Sequence, residues 1–272
     1  MNRFVVGSLL ILLLGLFACS GPVARQPTEG SPQRVVSLLP SATELIFAVD
    51  KGEVLVGVTS NDSYPPEVLE LPKVGDQTVD LEKVLSLKPD LVVLDANFNQ
   101  DRQRLERLGI EVLELRCARV GDIAPAMRLL GERLGNEEGG AVAAAAFENS
   151  LSKIEPLSID GTVFVEVWGE PLMTAGSKTL FSDVLTLLRV ENCYADQSGY
   201  FQVDPEDLVS RSPSFVLLPT SPGTESRSKA AELCGRVGVN PTVVKIEADL
   251  LVRAGPRLVK GIEQLRKSLS KF

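Results

Sequence analysis

The chemistry open to this chain is bounded first by what it lacks: among 272 residues there is no histidine. That excludes Ser-His-Asp and Cys-His nucleophilic relays, HExxH zinc sites and every histidine-ligated metal or haem. No GxxxxGK[S/T] occurs, and no GxGxxG follows a strand, so phosphate-cradling loops are missing as well. Cys117, Cys193 and Cys234 lie too far apart in sequence for a CxxC motif, and their spacing leaves open whether any two are joined. Carboxylates could still do acid–base work, but no spacing singles out a pair. The chain therefore reads as a non-enzyme without a resident cofactor.

Recognition remains. Tyr64 lies in the loop Asn61-Asp62-Ser63-Tyr64-Pro65-Pro66, where two prolines remove two backbone donors. Trp168 ends a strand just before Gly169-Glu170-Pro171, and its large flat ring suits a macrocycle; the single tryptophan is equally a candidate for the core. Met173 follows in what reads as a loop, Leu-Met-Thr-Ala-Gly, with the adaptability of a cleft residue or of plain filler. Asp249 and Arg253 stand four apart, the spacing of a polar ligand contact or of an ordinary surface ion pair on one helix. Phe98, Tyr200 and Phe201 are further aromatics between elements, which as often anchor loops.

The elements that must position these residues alternate between strand and helix. Apolar runs at Arg34–Leu38, Val54–Thr59, Leu91–Leu94 and Ile110–Leu115 predict strands. Helices are expected from a capping box at Ser41-Ala42-Thr43-Glu44, from Leu81 to Leu87 with Asp80 as cap, from Asp101 to Leu108, and from Ile123 to Leu134. Asn136 to Ile154, carrying an alanine run with Glu137 and Glu138 in its first turn, predicts one uninterrupted helix stopped by Pro156. The pattern then restarts with strands at Thr162–Trp168, Phe215–Leu218 and Thr242–Ile246 and helices at Leu180–Leu188 and Pro256–Leu269. Leu81 to Leu94, LEKVLSLKPDLVVL, repeats as Pro205 to Leu218, PEDLVSRSPSFVLL. The expected fold is α/β: two similar lobes with mostly parallel sheets, residues 34–135 and 156–272, joined by a linking helix over 136–155.

Residues 1–18 read as a secretory leader, with Arg3 ahead of the apolar run Phe4 to Phe17. Leu16-Phe17-Ala18-Cys19 looks like a bacterial lipobox, so Cys19 is the expected lipidation site. Residues 19–33, polar and rich in Pro and Gly, form a flexible tether. The net charge of −8, one unit more negative once Arg3 leaves with the leader, argues against a nucleic-acid partner.

The lipoprotein leader followed in order by RVVSLLPSATEL, GVTSNDSYPP, LEKVLSLKPDLVV, EVWGEPLMTAG and RAGPR resembles the substrate-binding proteins of cobalamin and iron-siderophore ABC importers, the BtuF/FhuD type, from about Arg34 to the C-terminus. The resemblance implies two α/β lobes on one rigid helix, with ligand held in the cleft between them. It implies ligand contacts at Tyr64, Asp249 and Arg253, the last two near the amide side chains of a corrin, and these join Trp168 and Met173 as the expected ligand-binding residues. It further implies that Glu82 and Glu206, one on each lobe, dock onto arginines of the permease. A first-turn acid is stabilised by the helix dipole whatever else it does, but equivalent places in the two repeats suit a basic partner.

The implied protein is a monomer on the periplasmic side of a bacterial membrane, anchored through Cys19. It would capture cobalamin or another metal chelate for the transmembrane subunits of an ABC permease and their ATPase. Gln77 stands where the enterobacterial cobalamin-binding protein places a tryptophan, which removes one stacking ring. An iron-siderophore receptor is the alternative in the same family, although anionic siderophores call for several cleft arginines and only Arg253 is placed. A partner-binding or sensing lipoprotein without import is the alternative in another class.

Overall fold

The computed structural model describes residues 30–76, 78–96, 99–221 and 227–272. Cys19 with the leader and most of the tether, Gln77 and Phe98 lie outside the described residues.

Two parallel four-stranded sheets organise the molecule. The first is built from β1 (Val35–Ser37), β2 (Leu55–Gly57), β3 (Leu91–Leu94) and β4 (Glu111–Glu114), in the order β2-β1-β3-β4. The second comes from β5 (Thr162–Val165), β8 (Glu191–Asn192), β10 (Phe215–Thr220) and β11 (Thr242–Glu247), in the order β11-β10-β5-β8. In both, the first strand in sequence lies between the second and the third, and the third pairs the fourth. The repeat read from two short segments is therefore a repeat of whole-sheet topology, and the chain folds as two similar α/β lobes.

Helices cover these sheets: α1 (Pro40–Ala48), α2 (Leu81–Ser86), α3 (Asn99–Arg107), α4 (Val120–Arg133) and α5 (Glu137–Ser152) before β5, and α6 (Leu180–Leu187), α7 (Pro205–Arg211), α8 (Lys229–Gly235), α9 (Ala248–Leu251) and α10 (Leu258–Leu269) after it. With both faces covered, the inner strands β1, β3, β5 and β10 are almost wholly buried, and alternate residues enter different cores. Val35, Leu91, Val93, Val163, Val165 and Leu217 join a central cluster that also takes Met127 of α4, Phe147 of α5 and Ile262 of α10. Val36, Val92 and Leu94 face an outer cluster in the first lobe, and Phe164 and Val216 face another in the second. One apolar core thus runs through both lobes, and hinge motion between them would have to break it.

The linking helix is α5. Asn136 accepts from the Gly139 backbone N–H at 3.2 Å and donates from Nδ2 to the Val49 carbonyl at 2.9 Å, capping α5 and tying its start to the end of α1. It packs on α4 at a glycine contact: a Cβ on Gly131 would lie 2.6 Å from the Gly140 Cα and 2.8 Å from the Asn136 carbonyl oxygen.

Two local expectations are corrected. The helix expected to be capped by Ser41 begins two residues earlier, with Leu39 at the cap position and Pro40 as its first residue, and Glu44 is buried in a tertiary contact instead of capping. The single strand expected over Thr162–Trp168 is broken after Val165. Trp168 opens β6 (Trp168–Gly169), which pairs antiparallel with β7 (Leu172–Ala175), and β9 (Tyr200–Gln202) completes a small third sheet. The Glu166 side chain turns inward at the break, accepting from Ser228 Oγ at 2.6 Å and from the Lys229 and Ala230 backbone N–H groups at the start of α8.

Candidate functional site

The segment from α9 to the start of α10 reaches from the second lobe onto the first. Its centre is Glu44 of α1, a carboxylate with 1% of its side chain exposed. A buried carboxylate must be matched by charged donors, and two arginines supply them. Arg257 donates through Nε to Oε2 at 2.9 Å and through Nη2 to Oε1 at 2.6 Å, while Arg253 Nη1 reaches Oε1 at 3.2 Å. The hydrogen bond to Glu44 raises the Arg257 pKa above its ordinary value.

Three of the expected ligand contacts converge here. Arg253 Nη2 lies 3.1 Å from Asp249 Oδ2 and donates to the Asn61 carbonyl at 2.9 Å; Nη1 lies 3.3 Å from Ser63 Oγ. Ser63 donates to Asp249 Oδ2 at 2.9 Å. The Asp249–Arg253 pair therefore exists as its spacing suggests, but both members also cross to the Tyr64 loop, which a plain surface pair would not do. The ring of Tyr64 lies under the Arg257 guanidinium, 4.1 Å from its Cζ to the ring centroid.

Trp168 and Met173 form a second group. They are directly paired across the β6–β7 hairpin. Trp168 is 62% exposed, which removes it from the core, and its indole N–H is fixed on the Glu170 carbonyl at 2.8 Å. Met173 is half-buried, with Gln202 its partner on the other side. Among the described residues no hydrogen bond or ring contact joins this group to the Tyr64 group.

Glu82 and Glu206 occupy equivalent places. Glu82 lies in the first turn of α2, whose cap Asp80 accepts from the Lys83 N–H; Glu206 lies in the first turn of α7, whose cap Asp204 accepts from the Glu206 N–H. Each helix leads into the third strand of its sheet. Both glutamates are exposed, and neither carboxylate is ion-paired with a described residue.

Sequence reasoning missed Glu44 and Arg257 as members of the site. Arg257 closes the RAGPR motif, which was the available signal; Glu44 was hidden by its resemblance to a capping residue. Also missed was a second link between lobes: Arg119 clamps Asp183 of α6 through two hydrogen bonds, one of them 2.6 Å from Nε to Oδ2, and Asp183 also accepts from the Val120 N–H at 3.1 Å. Cys117, Cys193 and Cys234 are free thiols. Burial pushes the first two up to about 12 and raises the third, so they stay protonated at neutral pH. No group of acidic or cysteine side chains among the described residues is arranged to hold a metal ion.

Two lobes of the same topology, one linking helix and a polar and aromatic constellation across their junction are the architecture of a ligand-capturing binding protein. The profile of the periplasmic binding protein family matches residues 35–246, and the chain belongs to that family. It is 33% identical over 254 residues to the "Uncharacterized ABC transporter substrate-binding lipoprotein YvrC" of Bacillus subtilis, covering 88% of this chain and 80% of that one. The crystal structure of the periplasmic vitamin B12 binding protein BtuF of Vibrio cholerae superposes with a TM-score of 0.72 at 28% identity, covering 88% of this chain and 97% of that one. A periplasmic haem-binding protein of Pseudomonas aeruginosa superposes with a TM-score of 0.76 over 88% of this chain and 93% of that one; at 24% identity this likeness shows the fold alone. The chain is thus an ABC-transporter substrate-binding protein, a transport component that works with a permease and its ATPase.

Proposed function

We propose that this protein captures cobalamin or a related corrinoid between its lobes, lipid-anchored through Cys19 on the periplasmic side of the membrane, and delivers it to a permease that docks on Glu82 and Glu206. The observation that carries the ligand reading is the charge balance beside Tyr64. Arg253 and Arg257 are already matched by Glu44 and Asp249, so the site offers hydrogen-bonding groups and an aromatic face with no net positive charge. Such a site suits an amide-decorated macrocycle better than a polyanionic ferric siderophore, which needs unmatched cations. Exposed Trp168 supplies a second ring, and the likeness to a protein named for vitamin B12 binding supports the same choice.

The test is calorimetric titration of a monomeric soluble domain starting at residue 34, with cyanocobalamin and in parallel with a ferric hydroxamate siderophore. Saturable one-to-one binding of cobalamin, weakened about tenfold by Trp168→Ala, is expected, since loss of one stacked ring is worth roughly 1–3 kcal/mol. Binding of the siderophore alone replaces the ligand; heat from neither removes both as ligands and moves the sensing or partner-binding lipoprotein reading forward.

A further inference from the structure

We propose that Arg257 is a positioning residue for ligand recognition: held by buried Glu44, its guanidinium backs one face of the Tyr64 ring and leaves the opposite face as the platform for a flat ligand. This rests on the reading of Tyr64 as a cleft residue. Tyr64 is 41% exposed, and among the described residues no hydrogen bond holds its side chain. The contact that orients it is the guanidinium 4.1 Å from its centroid.

That guanidinium is itself over-determined. Nε and Nη2 meet different oxygens of the Glu44 carboxylate, the planar fork geometry that an ammonium cannot reproduce. Arg253 holds the same carboxylate from a second direction and is anchored in turn by Asn61 and Asp249. Orientation therefore passes from Glu44 to Arg257 to the ring. The ligand then meets a platform ordered in advance, and ordering it does not fall on binding. A cation on the rear face also draws on the ring's π density, so the open face favours neutral or electron-rich partners over cationic ones.

A double-mutant cycle tests this. Arg257→Lys keeps the charge but loses the two-pronged bond to Glu44 and the planar stack, and Tyr64→Leu removes the ring. With cyanocobalamin as probe, Arg257→Lys should weaken binding roughly tenfold when Tyr64 is present and less than twofold when Leu replaces it. Equal losses in both backgrounds, or none in either, overturn the proposal. If the protein binds only the ferric hydroxamate siderophore, the corrinoid reading fails while the same cycle on that probe still decides the role of Arg257. Should it bind neither, the ligand-free protein decides: the Arg257 Nε–H proton resonance should be ring-current shifted and should return toward its normal position in Tyr64→Leu. A resonance that stays in place refutes the stack.

Discussion

Replacing Glu44 by Gln should be among the most damaging single changes available to this protein. The carboxylate accepts three N–H donors from two guanidiniums, which are themselves only 13% and 16% exposed. Glutamine keeps the shape and one acceptor oxygen, but it removes the charge and turns an amide N–H₂ toward Arg257. Breaking a buried ion pair from one side costs about 3–5 kcal/mol. Arg253 keeps Asp249 and the Asn61 carbonyl, so most of the loss falls on Arg257, and the lower end of that range, about 3 kcal/mol, is expected. For a chain of this size that corresponds to a fall in Tm of roughly 6–12 °C. Urea denaturation followed by far-UV circular dichroism measures it, with Glu82→Gln as an exposed control expected within about 0.5 kcal/mol of wild type. The triple change Glu44→Leu, Arg253→Met, Arg257→Met should recover much of the loss, because the penalty lies in the orphaned charges. A loss below about 1 kcal/mol for Glu44→Gln would refute the reasoning, since the arginines would then be satisfied by water.

Glu82→Ala combined with Glu206→Ala should abolish uptake in cells while leaving ligand affinity unchanged; unchanged uptake removes the docking assignment. Alkaline pH should destabilise the fold through the half-buried thiols of Cys117 and Cys193. Their pKa values are raised in the folded state, so the native chain holds protons that the unfolded chain releases near pH 9, and the stability present below pH 9 is lost as pH rises toward about 12. The slope is at most about 1.4 kcal/mol per pH unit for each thiol, and Cys117→Ser should flatten it in urea titrations at pH 8, 10 and 11. Gly131→Ala should cost about 1–3 kcal/mol despite alanine's better helix propensity, because the added methyl meets the backbone of α5; an unchanged urea midpoint would show that α4 and α5 separate freely.

The sequence alone determined what is local or periodic. Caps at Asp80 and Asn136, the alanine-rich linking helix and the apolar runs that became β3 and β5 are all set by neighbours within a few residues, so their physics is readable along the chain. The repeat around Glu82 and Glu206 could be read for the same reason, each motif being one helix and the strand it feeds. Trp168 was placed near a turn, but the hairpin that pairs it with Met173 was missed, because a two-residue strand carries no period. The exclusion of histidine chemistry needed no fold at all. Tertiary structure alone decided how the polar residues combine. Glu44 and Arg257 are 213 positions apart, and Arg119 and Asp183 are 64 apart; nothing in their own surroundings marks them as partners. A carboxylate in a helix's first turns looks like a cap until burial strips it of water and two distant guanidiniums become the charges that match it.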